Sequence, residues 1–141
     1  MRRFRRSKYG NVKVIIDGHT FDSKAEGNRY CELKLMQKSG LINYLTLQPK
    51  YLLIPKNKKN RAAYYIGDFL YVDCEAGKTV VEDVKGFETK EFRLKKKMFE
   101  QMYHAVELRI IKHKSKRQIA EEEAKAWEKK IESLKRGNKN A

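Results

Sequence analysis

The sequence has little cysteine, no long apolar run and a shortage of acid. Its two cysteines, Cys31 and Cys74, have no Cys-x-x-Cys spacing and no histidine pair beside them. Neither a zinc site nor a disulfide framework is therefore expected, and both read as reduced packing residues. No stretch is apolar for the length a bilayer span needs and none has a signal-like pattern, so the expectation is a soluble, cytoplasmic protein with no membrane partner. Asp and Glu total 18 against 33 Lys and Arg, a formal net charge of +15. That imbalance favours a polyanionic partner, nucleic acid first. Internal repeats and low-complexity linkers are lacking too, and 141 residues suit one domain with a core large enough to fold without staples.

The positive charge is clustered. Residues 1–10 form a basic arm with Arg2, Arg3, Arg5, Arg6 and Lys8 and no acid; its Phe4 and Tyr9 have rings that stack on bases. A loop carries Lys56, Lys58, Lys59 and Arg61, and a later helix carries Arg93, Lys95, Lys96 and Lys97. These clusters are the candidate DNA contacts, although each also reads as a solvated surface. The organisation expected is an arm over 1–10, a core over 11–114, and a charged helix and tail over 115–141.

Local signals divide the core. Val12 to Ile16, Asp17-Gly18 and His19 to Phe21 read as a hairpin with a type I′ turn. A helix runs from near Ser23 to just before Gly40, a residue suited to a C-terminal cap. Ser23-Lys24-Ala25-Glu26 fits a capping box, yet the helical wheel sets Glu26 beside Tyr30 and Leu33 within an inward stripe. Leu45 to Ile54 reads as a strand interrupted by Pro49, with Gln48 either structural or lining a site. A helix over Thr89 to Tyr103 packs through Phe92, Met98, Phe99 and Met102. Val106 to Ile111 is the last strand. The terminal helix, from about Ser115 to Arg136, is expected to bury Ile119, Ala120, Trp127, Ile131 and Leu134.

The centre of the chain is its most unusual part. Tyr64 to Val72 reads as one strand, with Asp68 in the apolar row of Tyr64, Ile66, Leu70 and Val72. The next strand sets Val81, Asp83 and Lys85 on one face and Val80, Glu82 and Val84 on the other. The loop around Cys74 to Lys78 makes an antiparallel hairpin, and a two- or four-residue loop sets Asp68 opposite Asp83 or Lys85. Ionised carboxylates at half-buried positions cost several kcal/mol each unless compensated. A divalent ion with oxygen ligands, such as Mg²⁺, is one compensation. An internal Asp68–Lys85 ion pair, with Asp83 hydrogen-bonded at a strand end, is the other.

Glu26 on a helix, Asp68 at one strand and Asp83-Val84-Lys85 on the next resemble the PD-(D/E)XK nuclease superfamily over roughly residues 20–112. The small basic chain and the Ser-Lys-x-Glu helix start are most similar to Holliday-junction resolvases of the Hjc and RecU kind, particularly phage-encoded ones, which would act in the host cytoplasm. The resemblance implies an α/β restriction-endonuclease-like core, a mixed central sheet flanked by helices, with an added C-terminal helix. It implies Glu26, Asp68 and Asp83 as ligands of Mg²⁺ (Mn²⁺ able to substitute), the Val84 carbonyl as a further ligand, and Lys85 as the residue that orients or helps deprotonate the attacking water. One departure is Gly67, where the superfamily has proline, which is expected to leave the backbone looser.

The function that follows is metal-dependent endonucleolytic hydrolysis of DNA at four-way junctions by a homodimer, with Cys31, Leu35 and Trp127 as interface material. The alternatives are a nicking or repair-type nuclease with another DNA substrate, and a non-catalytic basic nucleic-acid-binding protein whose acids merely cap and pair.

Overall fold

The computed structural model describes residues 12–114 and 116–137. Local chemistry fixes its first elements. Asp17 and Gly18 both take positive φ, 51° and 76°, the type I′ combination that joins β1 (Val14–Ile16) to β2 (His19–Phe21) as an antiparallel hairpin. Helix α1 (Lys24–Lys38) starts at Ser23, whose hydroxyl accepts the Glu26 N–H at 3.2 Å. It ends where Gly40 turns to φ 82° and the Gly40 and Leu41 N–H groups donate to the carbonyls of Gln37 and Met36. Tyr30 and Leu33 form its buried face, with Ala25 and Met36 packed beside them.

The chain continues as β3 (Ile42–Leu47), β4 (Lys50–Ile54), β5 (Ala63–Ile66), β6 (Phe69–Asp73), β7 (Lys78–Lys85), α2 (Lys90–Met102), β8 (Val106–Lys112) and α3 (Lys116–Gly137). A four-stranded mixed sheet in the order β3-β6-β7-β8 forms the centre. β3, β6 and β7 are antiparallel neighbours, while β7 and β8 are parallel and joined through α2. One face carries α1 and the first hairpin over Phe69, Tyr71, Val80 and Val84. The other carries Leu53 and Tyr65 of the β4–β5 ribbon and Phe99 of α2 over Val81. The fold is thus mixed α/β, with a mixed central sheet and three helices.

Two expected strands are each divided between sheets. Leu45 to Ile54 breaks at Gln48-Pro49, where Gln48 has φ 48° and Pro49 has no N–H to continue a ladder. Tyr64 to Val72 breaks at Gly67-Asp68, and the freed halves β4 and β5 pair as a separate two-stranded ribbon. Alternation does not run through the second break: Tyr65 and Leu70 both pack into the α2-side core, so the single row from Tyr64 to Val72 does not exist.

The β6–β7 hairpin follows expectation. Asp73 pairs with Lys78 across the four-residue loop Cys74 to Gly77, and the Asp73 carboxylate accepts the Glu75 and Ala76 N–H groups at 3.1 Å.

Helix α3 does not bury its apolar stripe. Ile119, Ala120, Trp127, Ile131 and Leu134 are exposed, because no described element packs against this helix. Cys31 and Cys74 are free and exposed rather than packed, and Met102 is exposed as well. Among the described residues no helix is long and apolar enough to cross a membrane.

Candidate active site

Strand β7 presents consecutive acids to opposite faces of the sheet, and the two are treated differently. Glu82, toward α1, is 0% exposed. Arg29 donates to it from Nε at 2.9 Å and from a terminal nitrogen, and the Tyr71 hydroxyl donates to the same carboxylate. Its charge is compensated by a bidentate guanidinium. The Arg29 pKa is raised, first by this hydrogen bonding. Burial, then Glu82, pushes the Tyr71 hydroxyl up to about 12.

Asp83, toward α2, is 2% exposed. The Tyr65 hydroxyl donates to Oδ2 at 2.7 Å, and Lys85 Nζ stands 3.1 Å from Oδ1. The Lys85 ammonium also lies 4.9 Å from the Phe92 ring centroid, a second favourable contact for a half-buried cation. Burial and the Asp83 charge raise the Tyr65 hydroxyl above its ordinary range, so it remains a donor.

Asp68 enters from the break before β6. Phe69 pairs with Glu82, which sets Asp68 level with Asp83, the register expected of a four-residue loop. The Asp68 N–H donates to the Glu82 carbonyl and its own carbonyl accepts from the Gln48 N–H, both at 2.9 Å. Its carboxylate Oδ2 accepts the Val84 N–H at 2.6 Å, so Val84 touches the site through its N–H. Burial pushes the Asp68 carboxyl up to about 7; the Val84 N–H pulls it down, Asp83 and Glu26 raise it, and Lys85 lowers it.

Gly67 is not a loose link. Its N–H donates to the Pro49 carbonyl at 3.0 Å, a bond proline cannot make. A Cβ there would lie 2.6 Å from Val81 Cγ1 and 3.3 Å from the Glu82 carbonyl oxygen. The absence of a side chain brings this backbone onto β7 and seats Asp68.

Glu26 lies in the first turn of α1 and is half-buried. Its N–H is capped by Ser23, while its Oε2 accepts the Asp22 N–H at 3.3 Å in place of the Ser23 N–H of a standard capping box. Its pKa is raised, chiefly by burial. Glu26 and Asp68 line one cavity of about 240 Å³ with His19, Thr20, Gln48 and Phe69. Asp83 and Lys85 line another of about 220 Å³ with Tyr64, Tyr65 and Phe92. The structure therefore groups Glu26 with Asp68, and Asp83 with Lys85. Gln48 belongs to the first group. Tyr65 and Arg29 were not singled out by the sequence, which gives no sign that they reach Asp83 and Glu82.

As a metal site the three acids are not ready-made. Among the described residues no three His, Cys, Asp or Glu side chains are placed to hold an ion, and both Asp83 oxygens are engaged. The pair in the first cavity fits a hard cation better: two carboxylates of raised pKa share one space, and Mg²⁺ needs only one or two protein carboxylates beside water and substrate oxygens.

Of the basic clusters, Lys56, Lys58, Lys59 and Arg61 are exposed on the β4–β5 loop. On α2, Arg93 and Lys97 are exposed, whereas Lys95 and Lys96 are half-buried and lie 3.5 and 3.7 Å from Glu91 and Glu100. Arg2, Arg3, Arg5, Arg6 and Lys8 lie outside the described residues.

No curated protein and no solved structure matches the sequence. A family model described as protein of unknown function (DUF1064) matches residues 6–118, which takes in every candidate site residue from Arg6 to Lys97 and stops just inside α3. The chain belongs to the DUF1064 family.

Proposed function

We propose that this protein is a metal-dependent endonuclease of the PD-(D/E)XK kind that hydrolyses DNA phosphodiester bonds, with four-way junctions as its substrate and a homodimer as its working unit. The observation that carries the proposal is Asp68: a carboxyl pushed up to about 7 by burial and by Asp83 and Glu26, on a cavity wall it shares with a second acid. A purely structural acid gains nothing from that arrangement, whereas a cation between Asp68 and Glu26 would remove the repulsion.

Glu26 and Asp68 would hold Mg²⁺ or Mn²⁺, with Asp83 anchoring the lysine rather than completing the ligand set. The ion, when bound, polarises a phosphoryl oxygen and lowers the pKa of a bound water. Lys85 is held by Asp83 and Phe92, and from that fixed position its ammonium would orient the attacking water and exchange a proton with it. Tyr65 keeps Asp83 from turning away. The net charge of +15 supports a phosphate-backbone substrate, and a symmetric dimer suits the paired nicks that resolve a junction.

A non-catalytic nucleic-acid-binding role is favoured by one observation, the full engagement of Asp83 by Tyr65 and Lys85. A cleavage assay separates the two. Labelled four-way junction, duplex and single strand are incubated with EDTA, Mg²⁺ or Mn²⁺. Cleavage that needs the ion and is lost in Asp68→Asn is expected; equal cutting in EDTA, or none on any substrate, overturns the proposal. A monomer in solution that nicks duplex as readily as junction overturns the junction assignment alone.

A further inference from the structure

Beyond the acids, Lys85 forms a wall of a third cavity, of about 180 Å³, lined also by Gly86, Phe87, Glu88, Arg93 and Lys112. Arg93 of α2 and Lys112 of β8 line it with Lys85 of β7, whose ammonium is held by Asp83, and one carboxylate, Glu88, opposes them. Among the described residues neither Arg93 nor Lys112 has an acidic partner, as is true of Lys78, Lys90 and Lys97 on the same elements, whereas Lys95, Lys96 and Arg109 are paired; what sets the two apart is that they share one cavity.

The cavity is built from the ends of β7 and β8, the first turn of α2 and the loop residues Gly86 to Glu88 between them. The His113 N–H donates to the Lys85 carbonyl at 3.3 Å, and a Cβ at Gly86 would come within 2.8 Å of the His113 ring. Imidazole against bare backbone thus ties the end of β7 to the end of β8. The volume falls below the roughly 300 Å³ at which small-molecule sites begin, so a nucleoside does not fit but one tetrahedral oxyanion does. Phe87 is 79% exposed, and among the described residues no ring or cation stacks on it.

We infer that this cavity takes one backbone phosphate of a nucleic-acid strand, next to the phosphate that Lys85 would face in the cleavage reaction, and that the base of that nucleotide stacks on Phe87. The inference rests on the nuclease reading for its substrate and narrows it: a base free to lie on Phe87 is unpaired, as in single strands and at branch points. Guanidinium and ammonium groups supply the charge-assisted bonds a phosphodiester accepts. An aromatic face accepts any base.

The test is binding without metal. Fluorescence anisotropy in EDTA is measured for a labelled single strand and a blunt duplex over a range of salt, using wild type, Arg93→Gln/Lys112→Gln, Phe87→Ala, and Lys125→Gln/Lys129→Gln on α3 as an equal loss of charge elsewhere. The cavity double variant is expected to bind single strand about tenfold more weakly, with its salt slope reduced by about 0.7 for the lost phosphate. Phe87→Ala is expected to lose about tenfold on single strand at unchanged slope, and little on duplex. Inorganic phosphate in competition reports on the oxyanion alone and should be indifferent to Phe87→Ala.

If the cavity variants lose no more than the α3 control, the inference is overturned while the nuclease reading stands. If binding follows the expected pattern but no substrate is cleaved in Mg²⁺, the nuclease reading fails and the phosphate site stands. If wild type binds neither nucleic acid, both fail.

Discussion

Replacing Asp68 by Asn should stabilise the protein at neutral pH. The carboxyl is raised from an ordinary 3.8 to about 7 in the folded chain, so between those values the native state holds a proton that the unfolded state has released. Stability from this group is complete below pH 3.8 and is lost as pH rises through 7. Integration of the linkage gives a loss of less than about 1 kcal/mol at pH 4, about 3 at pH 6 and about 4 at pH 8. Asparagine carries no charge at any of these, and its carbonyl oxygen still accepts the Val84 N–H bond made by Oδ2. Weakening that bond costs about 1 kcal/mol, well below the gain at pH 8. Urea unfolding of wild type and Asp68→Asn at pH 4, 6 and 8, read as the difference between them, cancels every other titrating group. The variant should be near wild type at pH 4 and several kcal/mol more stable at pH 8. Millimolar Mg²⁺ at pH 8 should narrow the gap by stabilising wild type alone. A difference that does not change with pH would refute the argument that Asp68 lacks compensation.

Further outcomes follow from the same geometry. Glu26→Gln should abolish Mg²⁺-dependent cleavage while leaving gel-shift affinity intact, Lys85→Ala should abolish cleavage and also weaken binding because Lys85 borders the phosphate cavity, and either variant cutting at wild-type rate would contradict its role. Tyr65→Phe should lower the cleavage rate and cost about 1–3 kcal/mol by leaving buried Asp83 a partner short, measured by single-turnover assay and urea titration. Arg29→Ala strands the fully buried Glu82 and should cost about 3–5 kcal/mol, with much of it recovered in Arg29→Ala/Glu82→Gln. Gly67→Ala sets a methyl 2.6 Å from Val81 Cγ1 and should cost about 1–3 kcal/mol in the same titration.

The elements read correctly from sequence were those whose signals are local. Asp17-Gly18 specifies its own turn, Ser23 and Thr89 cap the helices that follow them, and the four residues from Cys74 to Gly77 set the register of β6 on β7. What was not legible depends on partners distant in the chain. Whether Tyr64 to Val72 is one strand is decided by β4, which captures β5 into a separate ribbon. The apolar stripe of α3 follows from its spacing, but spacing does not say that no described element covers it. Arg29 reaches Glu82 across 53 positions, and no periodicity in either segment announces that pair. The site was legible in part for the same reason. Asp68, Asp83 and Lys85 belong to one hairpin and Glu26 to a locally capped helix, whereas the division of these four between two cavities depends on how Gly67 meets Val81.

The contrast along β7 and its neighbour argues against reading all the buried acids as structure. Glu82 and Asp83 are adjacent and almost equally buried, and each has a cation and a tyrosine hydroxyl on its carboxylate: Arg29 and Tyr71 for one, Lys85 and Tyr65 for the other. The fold therefore supplies complete compensation to a buried carboxylate twice on one strand. One step away, Asp68 receives a single backbone N–H and the charge of Lys85 against burial and two repelling acids, and among the described residues no cation is bonded to it. A chain with 33 Lys and Arg has no shortage of cations to spare for it. A carboxyl to which no described cation is bonded is disadvantageous to folding alone, and under the proposed function the missing cation would arrive from solution with the substrate.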